Sequence, residues 1–158
     1  MSALENLYKE IILDHYRSPR NRGELDPPAH KVEGFNPLCG DEIVLYVDVD
    51  SKGVVADLKI GGQGCSISQS SASMMSEIIK GKSIEEAKQI IQAFKEMMDI
   101  YESELSGNQE IESTTSDIDL GDLEALQGVV KYPVRIKCAT LAWNALTQSF
   151  DEIQDPAI

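Results

Sequence analysis

The chain has 158 residues, 27 acidic against 14 basic side chains for a formal net charge of −13, and 42% hydrophobic residues. That length suits one domain spanning residues 1–158 with an ordinary core, and the charge repels phosphate, which sets nucleic acid aside as a partner. Three cysteines, an odd number, exclude a fully paired secreted framework and point to a reducing, cytoplasmic setting.

Leu4, Leu7, Tyr8, Ile11 and Ile12 repeat at helical spacing, so the chain opens on an amphipathic helix that Pro19 ends. Charged residues interrupt it, so Met1–Tyr16 is neither a signal peptide nor a membrane span, and no later run is long enough to be one. Arg17, Arg20 and Arg22 form a small basic island, read as solvated surface or as a dock for an acidic patch. Strand-like segments follow at Lys31–Phe35, Glu42–Val49 and Val54–Ile60, the last two joined by the hairpin turn Asp50-Ser51-Lys52-Gly53. From Ser66 the pattern is helical, with Ser66 and Gln69 read as a capping box and Gly81 as the stop after Lys80. Ser83 and Glu86 form a second box before a helix through Ile84, Ala87, Ile90, Ile91, Phe94, Met97 and Met98. Residues 102–124 are acidic and rich in Ser and Thr, and read as an inserted surface loop with at most a short helix. Pro133 suits the first turn of a last helix with a face through Ala139, Ala142, Leu146 and Phe150. The expected fold is α+β: a small three-stranded antiparallel sheet covered on one face by helices.

On this map Cys39 lies in a loop before a strand, Cys65 between a strand and a helix, and Cys138 near the start of the last helix. A free cysteine is most often a small buried hydrophobe, and this set contains no CxxC knuckle. Cys-Gly-Asp at 39–41 is nevertheless a poor core segment, and Asp41 would complete four donors, a set that suits tetrahedral zinc or an iron–sulfur cluster. Cys65 precedes a helix N-terminus, and Arg135 lies one turn before Cys138; both settings favour thiolate over thiol.

Three segments, Asn36-Pro37-Leu38-Cys39-Gly40-Asp41, Gly64-Cys65 with Ser70-Ser71-Ala72-Ser73, and Arg135-Ile136-Lys137-Cys138-Ala139-Thr140-Leu141-Ala142, resemble the U-type iron–sulfur cluster assembly proteins. That family includes IscU, the NifU N-terminal domain and SufU, and Asp14-His15-Tyr16-Arg17-Ser18-Pro19-Arg20-Asn21-Arg22-Gly23 is similar to its N-terminal signature. Scaffold-type members carry a histidine where this chain has Lys137, and the acidic insertion at about 102–120 is also foreign to them, so the resemblance is closest to the SufU branch. It implies the SufE/NifU-like sandwich, a Zn²⁺ site from Cys39, Asp41, Cys65 and Cys138, and sulfur transfer, for which Cys39 is the expected nucleophile and Arg135 the residue expected to pair with Asp41 or steer the incoming sulfur. It further implies a SufS-type cysteine desulfurase as donor, downstream iron–sulfur assembly machinery as recipient, and no membrane.

The leading expectation is a zinc-dependent sulfur acceptor in which Cys39, once freed from zinc, attacks the terminal sulfur of the partner's persulfide. The alternative is a scaffold for a transient [2Fe–2S] cluster on the same thiolates. A purely structural zinc site fits poorly without a CxxC knuckle, and a Cys–His hydrolase fits worst, since nothing brings His15 or His30 to a cysteine. His15 reads as a packing or capping residue and His30 as a loop residue. Met74, Met75, Met97, Met98 and Trp143 read as helix packing, and Gly61-Gly62-Gln63-Gly64 lacks the ending of a phosphate-binding loop.

Overall fold

The computed structural model describes residues 3–37, 39–106 and 120–154. Helix α1 (Ala3–Arg17) is followed by strands β1 (His30–Asn36), β2 (Asp41–Val49) and β3 (Val55–Gln63), then by helices α2 (Ser66–Ile79) and α3 (Ile84–Ser106). A 3₁₀ helix (Gly121–Lys131) leads into α4 (Pro133–Gln154). The three strands form an antiparallel sheet in the order β1-β2-β3. The expected α+β architecture is therefore the observed one.

Sheet register explains where the chemistry gathers. Alternation along β2 sends Asp41, Ile43, Leu45 and Val47 to the covered face, where Val32, Leu58 and Ile60 join them. In the pairing, Asn36 stands opposite Asp41, and Glu42 opposite Gln63. One end of the sheet thus holds the β1–β2 turn with Cys39, the start of β2 with Asp41, and the exit of β3 toward Cys65. β3 runs three residues past the expected Ile60, because Gly61 and Gly62 continue the ladder. Gly62 takes φ +100°, and a Cβ there would collide with the Glu42 carbonyl, so only glycine holds that register.

Helices α2 and α4 lie on the sheet, α1 packs on α2 and the 3₁₀ helix, and α3 packs on the 3₁₀ helix and α4. Trp143 fixes the rotation of α4. Its ring stacks on Phe94 at 4.4 Å, its Nε1–H donates to Ser71 Oγ (3.0 Å), and the Ser71 hydroxyl donates to the Ala139 carbonyl (2.6 Å). Met74, Met75 and Met98 are buried in the same core, as packing residues should be. His15 is buried too: its Nδ1 lies 2.8 Å from Ser73 Oγ and its Nε2 3.1 Å from Asp122 Oδ2, tying α1 to α2 and the 3₁₀ helix. A carboxylate only accepts, so Nε2–H donates to Asp122.

Several local expectations need correction. α2 is capped by Cys65, whose sulfur accepts from Ser68 N, rather than by Ser66 with Gln69. The Ser83–Glu86 box is formed, with Glu86 N–H donating to Ser83 Oγ (3.1 Å). His30 begins β1 instead of lying in a loop. Of the acidic stretch expected as an insertion at 102–120, residues 107–119 lie outside the described residues. Residues 102–106 continue α3, and Leu120 and Leu123 are buried, so both flanks join the fold. Two arginines of the basic island have intramolecular partners: Arg20 pairs with Asp14 (2.6 Å), and Arg22 donates to the Gly62 carbonyl (2.6 Å).

Candidate metal centre

The β1–β2 turn places the first candidate. Cys39 N–H donates back to the Asn36 carbonyl (3.3 Å), and Gly40 takes φ +69°, which turns the chain into β2 with Cys39 half-buried at the bend. Asp41 then points to the covered face and is 1% exposed. A carboxylate so deeply buried needs donors, and it has them. Oδ1 accepts from Cys65 N–H (2.9 Å) and from the Ser68 hydroxyl (3.1 Å), and Oδ2 accepts from Asn36 Nδ2 (3.3 Å).

That clasp joins the start of α2 to the sheet. Gly64 makes it feasible: a Cβ there would stand 2.5 Å from Asp41 Oδ1 and 2.7 Å from Ser68 Oγ. Helix α4 supplies the remaining sulfur. Cys138 is fully buried in its second turn, and its Sγ lies 3.2 Å from Cys39 Sγ. Arg135, one turn earlier and exposed, reaches Nη1 to 4.0 Å from Cys39 Sγ.

The ligand atoms of Cys39, Asp41 and Cys138 all lie within 4.8 Å of one another. Three of the four expected ligands are thus brought together. Cys65 is set beside them through its backbone on Asp41, with its sulfur held as helix cap 3.5 Å from Ser68 N. Neither histidine joins them: His15 faces Ser73 and Asp122, and His30 lies 3.5 Å from Glu152. Two contributors escaped the sequence reading. Asn36 Nδ2 bridges Asp41 and Cys138 Sγ (3.5 Å), and Ser68 links Asp41 to Cys65. Ser68 had a legible signal, since it stands three residues after the true cap. Asn36 had only its place in the Asn-Pro-Leu-Cys segment.

Charge is balanced unevenly in this cluster. Burial pulls the Asp41 carboxyl up, but the Cys65 amide and the groups of Cys138, Ser68 and Cys65 outweigh it and hold it below the ordinary carboxylate value. Burial also pushes the Cys138 thiol far up, and the neighbouring Asp41, Cys39 and Cys65 add to it. Hydrogen bonding to Cys138 and the charges of Cys65 and Cys39 hold the Arg135 guanidinium firmly protonated. An ionised carboxylate crowded by sulfurs that resist sharing its charge is an arrangement that a bound cation would relieve.

Residues 7–139 match the family model of the NifU-like N terminal domain. The chain is 49% identical over 143 residues, 90% of its length, to a zinc-dependent sulfurtransferase SufU of Bacillus subtilis (strain 168), of which it covers 88%. It is 40% identical over 149 residues to an iron–sulfur cluster assembly scaffold protein IscU of Streptococcus pyogenes serotype M1, covering 94% of this chain and 86% of that one. Among solved structures it is similar to FiSufU from the thermophile Fervidobacterium islandicum AW-1, with TM-score 0.69, 34% identity, and 92% and 97% of the two chains covered. The N-terminal part of a nitrogen-fixing NifU-like protein from Brucella abortus matches at TM-score 0.73 and 21% identity, covering 98% of this chain and 99% of that one, which speaks for the shared fold.

Proposed function

The chain belongs to the NifU-like N terminal domain family, and from that premise we propose that it is a zinc-dependent sulfur acceptor serving iron–sulfur cluster assembly. The observation that carries this reading is the 3.2 Å approach of Cys39 to Cys138 beside the buried Asp41 carboxylate. The similarity to a zinc-dependent sulfurtransferase supports it. Three sulfurs and one carboxylate suit tetrahedral zinc, which Cys39, Asp41, Cys65 and Cys138 would hold. Zinc bound there would keep its sulfur ligands as thiolates and offset their charge.

The residues of the chain divide the remaining work. Cys39 is the nucleophile, because it is half-buried at a turn, whereas Cys138 is sealed in the core and the equally half-buried Cys65 has its sulfur engaged as the cap of α2. As thiolate it attacks the terminal sulfur of a cysteine persulfide on a SufS-type desulfurase. The new S–S bond forms at Cys39, the old one breaks, and the donor cysteine leaves as thiolate. Arg135 places its positive charge at Cys39 Sγ, where it stabilises thiolate before attack. Asn36 and Ser68 hold Asp41 in position and do not touch the reacting sulfur. The recipient of the sulfur is iron–sulfur assembly machinery, and the working compartment is the cytoplasm. No described helix is long and apolar enough to cross a membrane.

A second reading, a scaffold for a [2Fe–2S] cluster on the same ligands, rests on the similarity to IscU. Lys137 weighs against it: it stands where scaffold-type members carry histidine, it is exposed, and it bonds none of the cluster residues. The test is persulfide formation, read by mass spectrometry of intact protein after incubation with desulfurase and cysteine. Wild type should gain one sulfur on Cys39, and Cys39→Ala should gain none. Undiminished sulfur uptake by Cys39→Ala would overturn the assignment.

A further inference from the structure

Two cavities adjoin the cysteine cluster. The larger, about 700 Å³, is walled by α1, the start of α2 and the 3₁₀ helix, and Cys65 forms part of its lining. The smaller, about 570 Å³, has Cys39 in its wall. Lys131, Tyr132 and Arg135 line both, so the two form one groove that passes the nucleophile.

The lining inverts the character of the molecule. The chain carries 27 acidic and 14 basic residues, yet among the described residues the groove presents Lys9, Lys131 and Arg135 and no carboxylate. Neither Lys9 nor Lys131 is paired with a described residue. Between the cations the wall is apolar, from Tyr8, Ile12, Leu13, Ile67 and Val129. Its volume lies within the ~300–1,000 Å³ range of small-molecule sites. Three cations on an apolar wall, with no described carboxylate among them, favour an anion of about that size by charge complementarity.

We infer that this groove binds a low-molecular-weight thiol bearing carboxylates, of the glutathione class, which takes the sulfur from Cys39 ahead of the assembly machinery that finally receives it. The inference rests on the sulfur-acceptor reading above and adds the substrate class of the outgoing step. The carboxylates lie against Lys9 and Lys131, and the aliphatic backbone against the apolar wall. The thiol end reaches Arg135, whose charge favours its ionisation. That thiolate attacks the outer sulfur of the Cys39 persulfide. A bond forms between the acceptor sulfur and the outer sulfur, the Cys39 S–S bond breaks, and Cys39 leaves as thiolate. Products are the acceptor persulfide and regenerated Cys39, with no net oxidation, so no further reagent is needed.

The test loads Cys39 with sulfur from desulfurase and cysteine, removes the desulfurase, and challenges the zinc-loaded protein with glutathione or with its diethyl ester at equal thiolate concentration. Loss of the extra sulfur is followed by mass spectrometry. Glutathione should discharge wild type about tenfold faster than the ester, from two exposed charge contacts at roughly threefold each, and the ratio should shrink at high salt. In the double variant Lys9→Ala, Lys131→Ala the ratio should fall to near one. S-methylglutathione, which cannot react, is titrated in parallel by NMR. It should perturb the amides of residues 8–13 and 128–135 in wild type and much less in the double variant. Equal discharge by both thiols, or no binding of S-methylglutathione, overturns the groove assignment while leaving the acceptor reading intact. Failure to load Cys39 at all instead sinks the acceptor reading, and the discharge step with it. Slowed loading of the double variant with an unchanged discharge ratio assigns the groove to the desulfurase and likewise overturns the proposal.

Discussion

Asp41 and Asn36 show how single side chains set the chemistry of the cluster. Asn36 is buried with one amide nitrogen serving both Asp41 Oδ2 and Cys138 Sγ, so it orients two candidate ligands at once. Removing a residue that orients metal ligands weakens metal binding by roughly 10–100-fold, and Asn36→Ala should lower zinc affinity by that amount in a competition titration against a chromogenic chelator. An unaltered affinity would show that Asn36 only fills space. Asp41 makes a pH statement about the metal-free protein. Its folded pKa lies below the ordinary 3.8, so its stabilising contribution is complete above that value and is lost as pH falls through the folded value. Denaturant titrations of metal-free protein should therefore show wild type losing stability between about pH 5 and pH 2 more steeply than Asp41→Asn. Parallel pH profiles would contradict this.

At the scale of elements, the approach of α2 to the sheet depends on Gly64. In Gly64→Ala the added carbon meets Asp41 Oδ1 and Ser68 Oγ, and the clasp between β2 and α2 must open. The expected outcome is at least tenfold weaker zinc binding by titration, with helix content by circular dichroism close to wild type, because the core lies elsewhere in the sheet and helices. Retained affinity would mean that the clasp does not position the ligands. The same region shows what a sequence can and cannot disclose. The strands, the order of helices and the Ser83–Glu86 cap follow from periodicity and capping chemistry, which are local. The Cys65 cap was not legible because Ser66, a better capping residue by propensity, stands next to it, and only the bond from Cys65 N–H to Asp41 decides which residue begins the helix. The end of β3 was hidden for a related reason. The strand-like pattern stops at Ile60, whereas the close crossing of Gly62 over Glu42 carries the ladder on through glycine. Asn36 acquires its role from a cross-strand partner and from a cysteine 102 residues away, which no local pattern encodes.

Across the whole molecule, three distant stretches meet at one end of the sheet because antiparallel register, the Asp41 clasp and the Trp143 lock on α4 agree with one another. A groove lined by Lys9, Lys131 and Arg135 runs past Cys39 in this acidic chain. A metal bound by ligands from β2, the start of α2 and α4 would join these parts, so zinc should raise the melting temperature as well as prepare the sulfur chemistry. The most direct test of the central claim is cysteine turnover by the desulfurase, measured with zinc-loaded protein, with protein stripped by a chelator, and with zinc-loaded Cys39→Ala. Stimulation that needs both zinc and Cys39 is the expected result. Inhibition by zinc, with the stripped protein instead taking up iron and sulfide, would contradict it and establish the scaffold.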